Sequence, residues 1–196
     1  HNWRTKETMA DTKRTLSDLL TNLFQDGQAS GAITPQDMRD LIESVRTQWA
    51  GLYVSTPAST TISGAGTFVK GAGTTTLYTA GGTSAVDFDM PSDNRLRYTG
   101  TPTKDIMVIC NASIEINTAV IDKELGLELH DNAGVLTGTR VVGFSPATTV
   151  NSVQLSTMGV FNAATNDYVE AFIGNIDSTD DITLRNMNMY AWTIPS

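Results

Sequence analysis

The chain predicts a mainly β fold, an antiparallel sandwich or barrel preceded by a small N-terminal helical module. Three observations predict it. Helical periodicity stops near Trp49. Beyond it, roughly eight to ten short runs of alternating apolar and polar residues recur between polar turns. The chain then ends on two more such runs, 166–175 and 182–194, across the polar loop 176–181. These two read as a closing hairpin. Val169, Ala171 and Ile173 face one way, and Tyr168, Glu170 and Phe172 the other; Met187, Met189 and Ala191 alternate with Asn186, Asn188 and Tyr190. Both faces are partly apolar, as expected where a core covers one side and a neighbouring sheet or subunit the other.

Composition narrows the function classes. The 196 residues suffice for one ordinary domain with a core and a small additional element. Charged residues make up 17% and the net charge is −8, so the basic footprint of a nucleic-acid or anionic-membrane binder is missing. The lone Cys110 allows no internal disulfide framework. No apolar run approaches the roughly 20 residues of a membrane span, and no secretory signal is visible. Met9-Ala10-Asp11-Thr12-Lys13 reads as a start, which leaves residues 1–8 as an upstream extension, an added remnant or a processed end.

The helical module is assigned to residues 1–50. Leu16, Leu19, Leu20, Leu23 and Phe24 fall on one face of a helix over 15–24, which Asp26-Gly27 stops. A second helix starts with Thr34 as N-cap, Pro35 at the first helical position and Asp37 at the third, where its charge complements the helix dipole. Met38, Leu41, Ile42, Val45 and Trp49 form its apolar face. Two short helices cannot bury that much on their own, so they must dock on each other, on copies of themselves or on a partner. Residues 51–85, rich in Thr, Ser, Gly and Ala, read as a connector with short strands, and 86–196 as the β domain. There, 86–90 alternates before a turn at Pro91-Ser92-Asp93-Asn94, and Leu96 and Tyr98 continue on the return. The longest strand is 106–117: Ile106, Val108, Cys110, Ala112, Ile114 and Ile116 share one face, while Met107 and Ile109 join the polar face. Leu125, Leu127 and Leu129 follow, then a turn at Asp131-Asn132-Ala133-Gly134, and strands at 139–144 and 152–161.

Catalytic chemistry finds little to use. His130, beside Asp131, is the only histidine besides the terminal one, and it reads as a solvent-facing turn residue. No Gly-x-Ser-x-Gly elbow exists. Cys110 has no helix N-terminus or basic neighbour to activate it and reads as core. Gly64 to Gly73 fails the phosphate-loop templates, because Lys70 precedes the glycine and no helix follows. Glu115, Glu124, Glu128 and Glu170 could pair as a glycosidase does, but exposed strand faces carry Glu routinely. Asp177, Asp180 and Asp181 share one loop without the spacing of a helix–loop–helix calcium site. No catalytic residue, cofactor or metal is assigned. The candidate interface residues are Leu16, Leu20, Leu23, Met38, Leu41, Ile42, Val45, Trp49, Tyr190 and Trp192.

Two stretches carry a resemblance. The strand, turn and return from Leu125 to Arg140, the run Asn166-Asp167-Tyr168-Val169-Glu170-Ala171-Phe172 and the terminal Met189-Tyr190-Ala191-Trp192-Thr193-Ile194 resemble jelly rolls of the tumour-necrosis-factor and complement-head class. Asn166 stands where that class carries Gly. The segment Gly31 to Val45 is similar to a short helical module that precedes β-rich domains in tailed-bacteriophage virion proteins. The order of helical module, Thr/Gly-rich connector and terminal jelly roll resembles phage capsid decoration proteins, head fibres and tail fibres. The resemblance implies a homotrimeric, non-enzymatic structural protein on the virion exterior that binds other capsid or tail proteins. The alternative it implies is a fibre tip that binds a host receptor or surface glycan.

Overall fold

In a computed structural model the described residues are 14, 18–23, 33–78, 87–118, 122–145 and 152–195. The chain divides into two compact units, His1–Thr47 with Pro195–Ser196, and Gln48–Ile194.

In the first unit, Leu19–Leu23 forms one π-helical turn, and α1 runs from Pro35 to Val45. The expected start of α1 is present as a full capping box. The Asp37 amide donates to Thr34 Oγ1 at 3.2 Å, and the Thr34 amide donates back to Asp37 Oδ2 at 2.7 Å. The Thr34 amide and the Thr34 hydroxyl, which also donates to Asp37 Oδ2 at 2.7 Å, hold the Asp37 carboxyl below its ordinary range. The helix ends at Val45 because Arg46 is extended, at φ −66° and ψ 124°. Trp49 therefore does not extend the apolar face of the helix: it is the first residue of a strand.

The second unit is a sandwich of two antiparallel sheets. Its strands are β1 Trp49–Pro57, β2 Ser59–Thr60, β3 Phe68–Lys70, β4 Gly73–Tyr78, β5 Phe88–Asp89, β6 Arg95–Tyr98 and β7 Lys104–Ile116. They continue with β8 Glu124–Asp131, β9 Gly134–Val135, β10 Val141–Phe144, β11 Ser152–Ala163, β12 Tyr168–Asn175 and β13 Ile182–Thr193. Sheet I has the order β11-β7-β13-β1-β4, with β2 beside β13. Sheet II has the order β10-β8-β12-β6-β5, with β3 beside β12 and β9 beside β8. The Thr/Gly-rich stretch thus supplies β1 to β4 to the sandwich itself, since Thr and aromatic residues suit a pleated, half-buried surface.

The core is the set of inward positions that the alternation picks out. Ile106, Val108, Cys110 and Ile114 of β7 and Met187, Met189 and Ala191 of β13 meet Leu125, Leu127 and Leu129 of β8 and Val169, Ala171 and Ile173 of β12. Cys110 is fully enclosed, and burial pushes its thiol up to about 12, which leaves it unreactive.

The last two strands are not a hairpin. β12 pairs with β8, β6 and β3 in sheet II, whereas β13 pairs with β7, β1 and β2 in sheet I. The loop between them crosses from one sheet to the other. Alternation shows which residues share a face, but it carries no information about which strand lies alongside.

Candidate functional site

Two outer sheet faces are unlike ordinary solvated strands. On sheet I the registers line up two apolar rows. Met158, Ile109, Tyr190, Gly51 and Tyr78 form one row across five strands. Val160, Met107, Trp192 and Trp49 form the next. Met158 is 60% exposed and Tyr78 47%. The rings of Trp49 and Tyr78 lie 6.2 Å apart, and those of Tyr78 and Tyr190 meet edge-on at 6.4 Å. Gly51 makes this possible, because a Cβ there would sit 2.6 Å from Cδ1 of Tyr190. The adjoining row, Ser156, Asn111, Asn188, Tyr53 and Thr76, is mostly polar. Farther along, Arg185 pairs with Glu115 and holds its carboxyl below the ordinary range. On sheet I the exposed apolar area is thus concentrated at one end of the outer face, as at many protein contacts.

Of the expected interface residues, Trp49, Tyr190 and Trp192 come together on this face. Tyr78, Met107, Ile109, Met158 and Val160 complete it and were not among them. The available signal was Met107 and Ile109 interrupting the polar face of β7, together with Met158 and Val160 at the matching phase of β11. In the helical unit, Met38, Ile42 and Val45 are exposed, Ile42 at 58%. Leu41 is half-buried and Leu20 exposed. Leu16 and the Leu23 side chain lie outside the described residues. The unit turns a polar side inward instead: Asp40 is 3% exposed, Ser44 Oγ donates to Asp40 O at 2.6 Å, and the Arg14 amide donates to Ser44 Oγ at 2.7 Å.

On the outer face of sheet II two carboxylates are buried. Glu128 is 1% exposed and Glu170 5%, which corrects their reading as routine exposed strand residues. Arg140 Nε donates to Glu128 Oε2 at 2.6 Å, and His130 Nε2 lies 2.6 Å from Glu128 Oε1. Lys70 Nζ and Arg95 Nε reach Glu170 Oε1 at 2.5 and 2.7 Å. His130 also departs from its expected place in a solvent-facing turn. It lies within β8, and its ring stacks on Phe172 with centroids 3.6 Å apart and 7° between planes. Arg95 covers the Tyr168 ring at 3.8 Å and Arg140 the Phe68 ring at 4.4 Å. Phe68 in turn occupies the space over Gly126, where a Cβ would lie 2.4 Å from its Cζ.

This arrangement does not support hydrolysis. Both carboxylates are engaged by cations and covered, so neither faces a cleft where a sugar bond could sit between them. An open groove beside β11, lined by Ile109, Gly138, Val141, Ser156, Thr157 and Met158, carries no acid or base. Asp177, Asp180 and Asp181 each accept a bond from the protein itself: Asp177 from the Glu124 amide and Asp181 from the Ile62 amide, which tie the loop to other segments, and Asp180 from the Ser178 hydroxyl within it. Among the described residues, no group of three His, Cys, Asp or Glu side chains is placed to hold a metal.

No family model matches the chain, and no curated protein matches it. Solved structures do. The crystal structure of murine APRIL at pH 5.0 superposes with a TM-score of 0.52 at 10% identity, over 76% of this chain and 100% of that one. The Eiger TNF from S. frugiperda superposes with a TM-score of 0.50 at 13% identity, over 76% of this chain and 92% of that one. At such identities the likeness is one of architecture, and what it shows is a mainly β, two-sheet jelly roll of the kind found in tumour-necrosis-factor-type proteins.

Proposed function

We propose that the chain is a non-enzymatic structural protein of a tailed-bacteriophage particle, a trimeric capsid decoration or head-fibre protein on the virion exterior. The observation that carries the trimer is the pair of apolar rows on the outer face of sheet I, a surface that water would not favour leaving bare. Jelly rolls of this kind assemble around a threefold axis, and a face with aromatic rings at one end and polar side chains beyond it suits that role. The phage assignment rests on the resemblance of residues 31–45 to a virion helical module and on the order of the segments. In this reading the exposed Met38, Ile42 and Val45 seat the helical unit on shell subunits, burying more than roughly 1,000 Å² per contact. The test is co-sedimentation of the purified chain with phage shells assembled without it. Saturable binding at one stoichiometry per shell supports the proposal; free chain at every shell concentration, with no labelling of intact particles by an antibody to the chain, contradicts it.

A second reading, a receptor- or glycan-binding fibre tip, is favoured by one observation only, the ordered charged and aromatic surface of sheet II.

A further inference from the structure

We infer that the outer face of sheet II is a binding site for an acidic glycan, with Arg95 and Arg140 as two preset forks for sugar carboxylates. This inference extends the second reading and is independent of the oligomeric state.

The registers show how the face is built. Glu128 pairs with Phe172, and Phe172 with Lys70; His130 pairs with Glu170, and Glu170 with Arg95. Arg140 lies immediately before Val141, whose partner is Leu127, and so flanks Glu128. Read across the strands, positive charge stands at both margins, buried glutamates stand inside it, and the stacked Phe172 and His130 rings make a flat strip in the middle. Each arginine is fixed twice, by Nε to a buried glutamate and by its plane against an aromatic ring. Neither uses an Nη group in any bond among the described residues. The Nη edge is the fork that takes a carboxylate through two parallel bonds. Arg140, with its side chain 56% exposed, offers it directly to solvent.

Stability alone gives little reason for this design. Buried ion pairs rarely improve on apolar side chains of similar size, and β-branched residues would cover sheet II more simply. What the glutamates do achieve is orientation, since an anchored guanidinium loses less freedom when it binds. The two arginines stand three strand spacings apart across the sheet and two residues apart along it, on the order of 16 Å. Two acid groups at that separation on a stiff, flat chain match a polymer of sugar acids laid across the strands. With a net charge of −8 on the whole chain, long-range attraction for polyanions is weak. Recognition must therefore come from these local forks.

The experiment is calorimetric titration of the full chain with three probes: oligogalacturonate, neutral maltohexaose and inorganic polyphosphate. Oligogalacturonate should bind, and maltohexaose should not. Arg95→Lys and Arg140→Lys keep the charge and the glutamate partner but lose the fork, so each should weaken oligogalacturonate binding about tenfold, while Arg46→Lys in the helical unit leaves it unchanged. Unfolding midpoints of the two lysine variants within experimental error of the parent confirm that the site alone changed. No binding of oligogalacturonate, equal binding of maltohexaose, or unaltered binding by the Arg95→Lys/Arg140→Lys double variant overturns the inference. Preference for polyphosphate over oligogalacturonate overturns the sugar-acid assignment. Any of these results leaves the shell co-sedimentation test of the structural role untouched.

Discussion

Tyr98 shows how one side chain couples the fold to pH. It is buried, donates its hydroxyl to Pro102 O at 2.9 Å, and meets the Phe88 ring edge-on at 5.5 Å. Burial, with Asp87 adding to it, pushes the phenol up to about 12. An acid raised in the folded state contributes stability that is fully present below its unfolded value, about 10. That contribution is lost as pH rises through about 12. Tyr98→Phe should therefore be less stable by about 1 kcal/mol near neutrality, through the lost hydrogen bond. The gap should close and then reverse across the alkaline range, as urea unfolding of both proteins will show; a gap independent of pH contradicts the assignment. At this scale the sequence was partly legible. The inward set on β7 and the capping residues Thr34, Pro35 and Asp37 could be read directly, because each rests on a local rule. Asn166, standing where the resembling jelly rolls carry Gly, sits at φ 77°, a left-handed conformation that Asn tolerates better than most residues. His130 and Glu128 could not be placed, because their burial depends on Phe172 and Arg140, which come from other segments.

Elements were more legible as faces than as neighbours. The phases of β7, β8, β12 and β13 follow from alternation, whereas the pairing of β12 with sheet II and β13 with sheet I does not. The stretch 51–85 reads as a connector because its small polar residues carry a weak apolar signal, yet Gly51, Leu52 and Tyr53 occupy the middle of sheet I between β13 and β4. Helix α1 presents the opposite case, with a clear apolar stripe that the chain itself leaves exposed. Ile42→Glu should accordingly change the unfolding free energy by no more than about 0.5 kcal/mol, the usual range for a surface position, while abolishing co-sedimentation with shells. Loss of helicity in the circular dichroism spectrum of this variant would instead make Ile42 a structural residue of its own unit.

For the molecule as a whole, the two sheets bury one common core and differ in what they show outside. Sheet I ends in two apolar rows, and sheet II carries an ordered network of charges and rings. We propose that the first meets copies of the chain and the second a ligand. Threefold assembly through sheet I is tested by the mass in solution, measured by light scattering at micromolar concentration. Three chains of 21.1 kDa give about 63 kDa. That mass is expected for the parent and for Arg140→Lys, which alters only sheet II. A folded single chain is expected for Val160→Glu, which puts a charge into the second apolar row. A parent that runs as a single chain, or a Val160→Glu variant that keeps the mass of three, would contradict threefold assembly through sheet I.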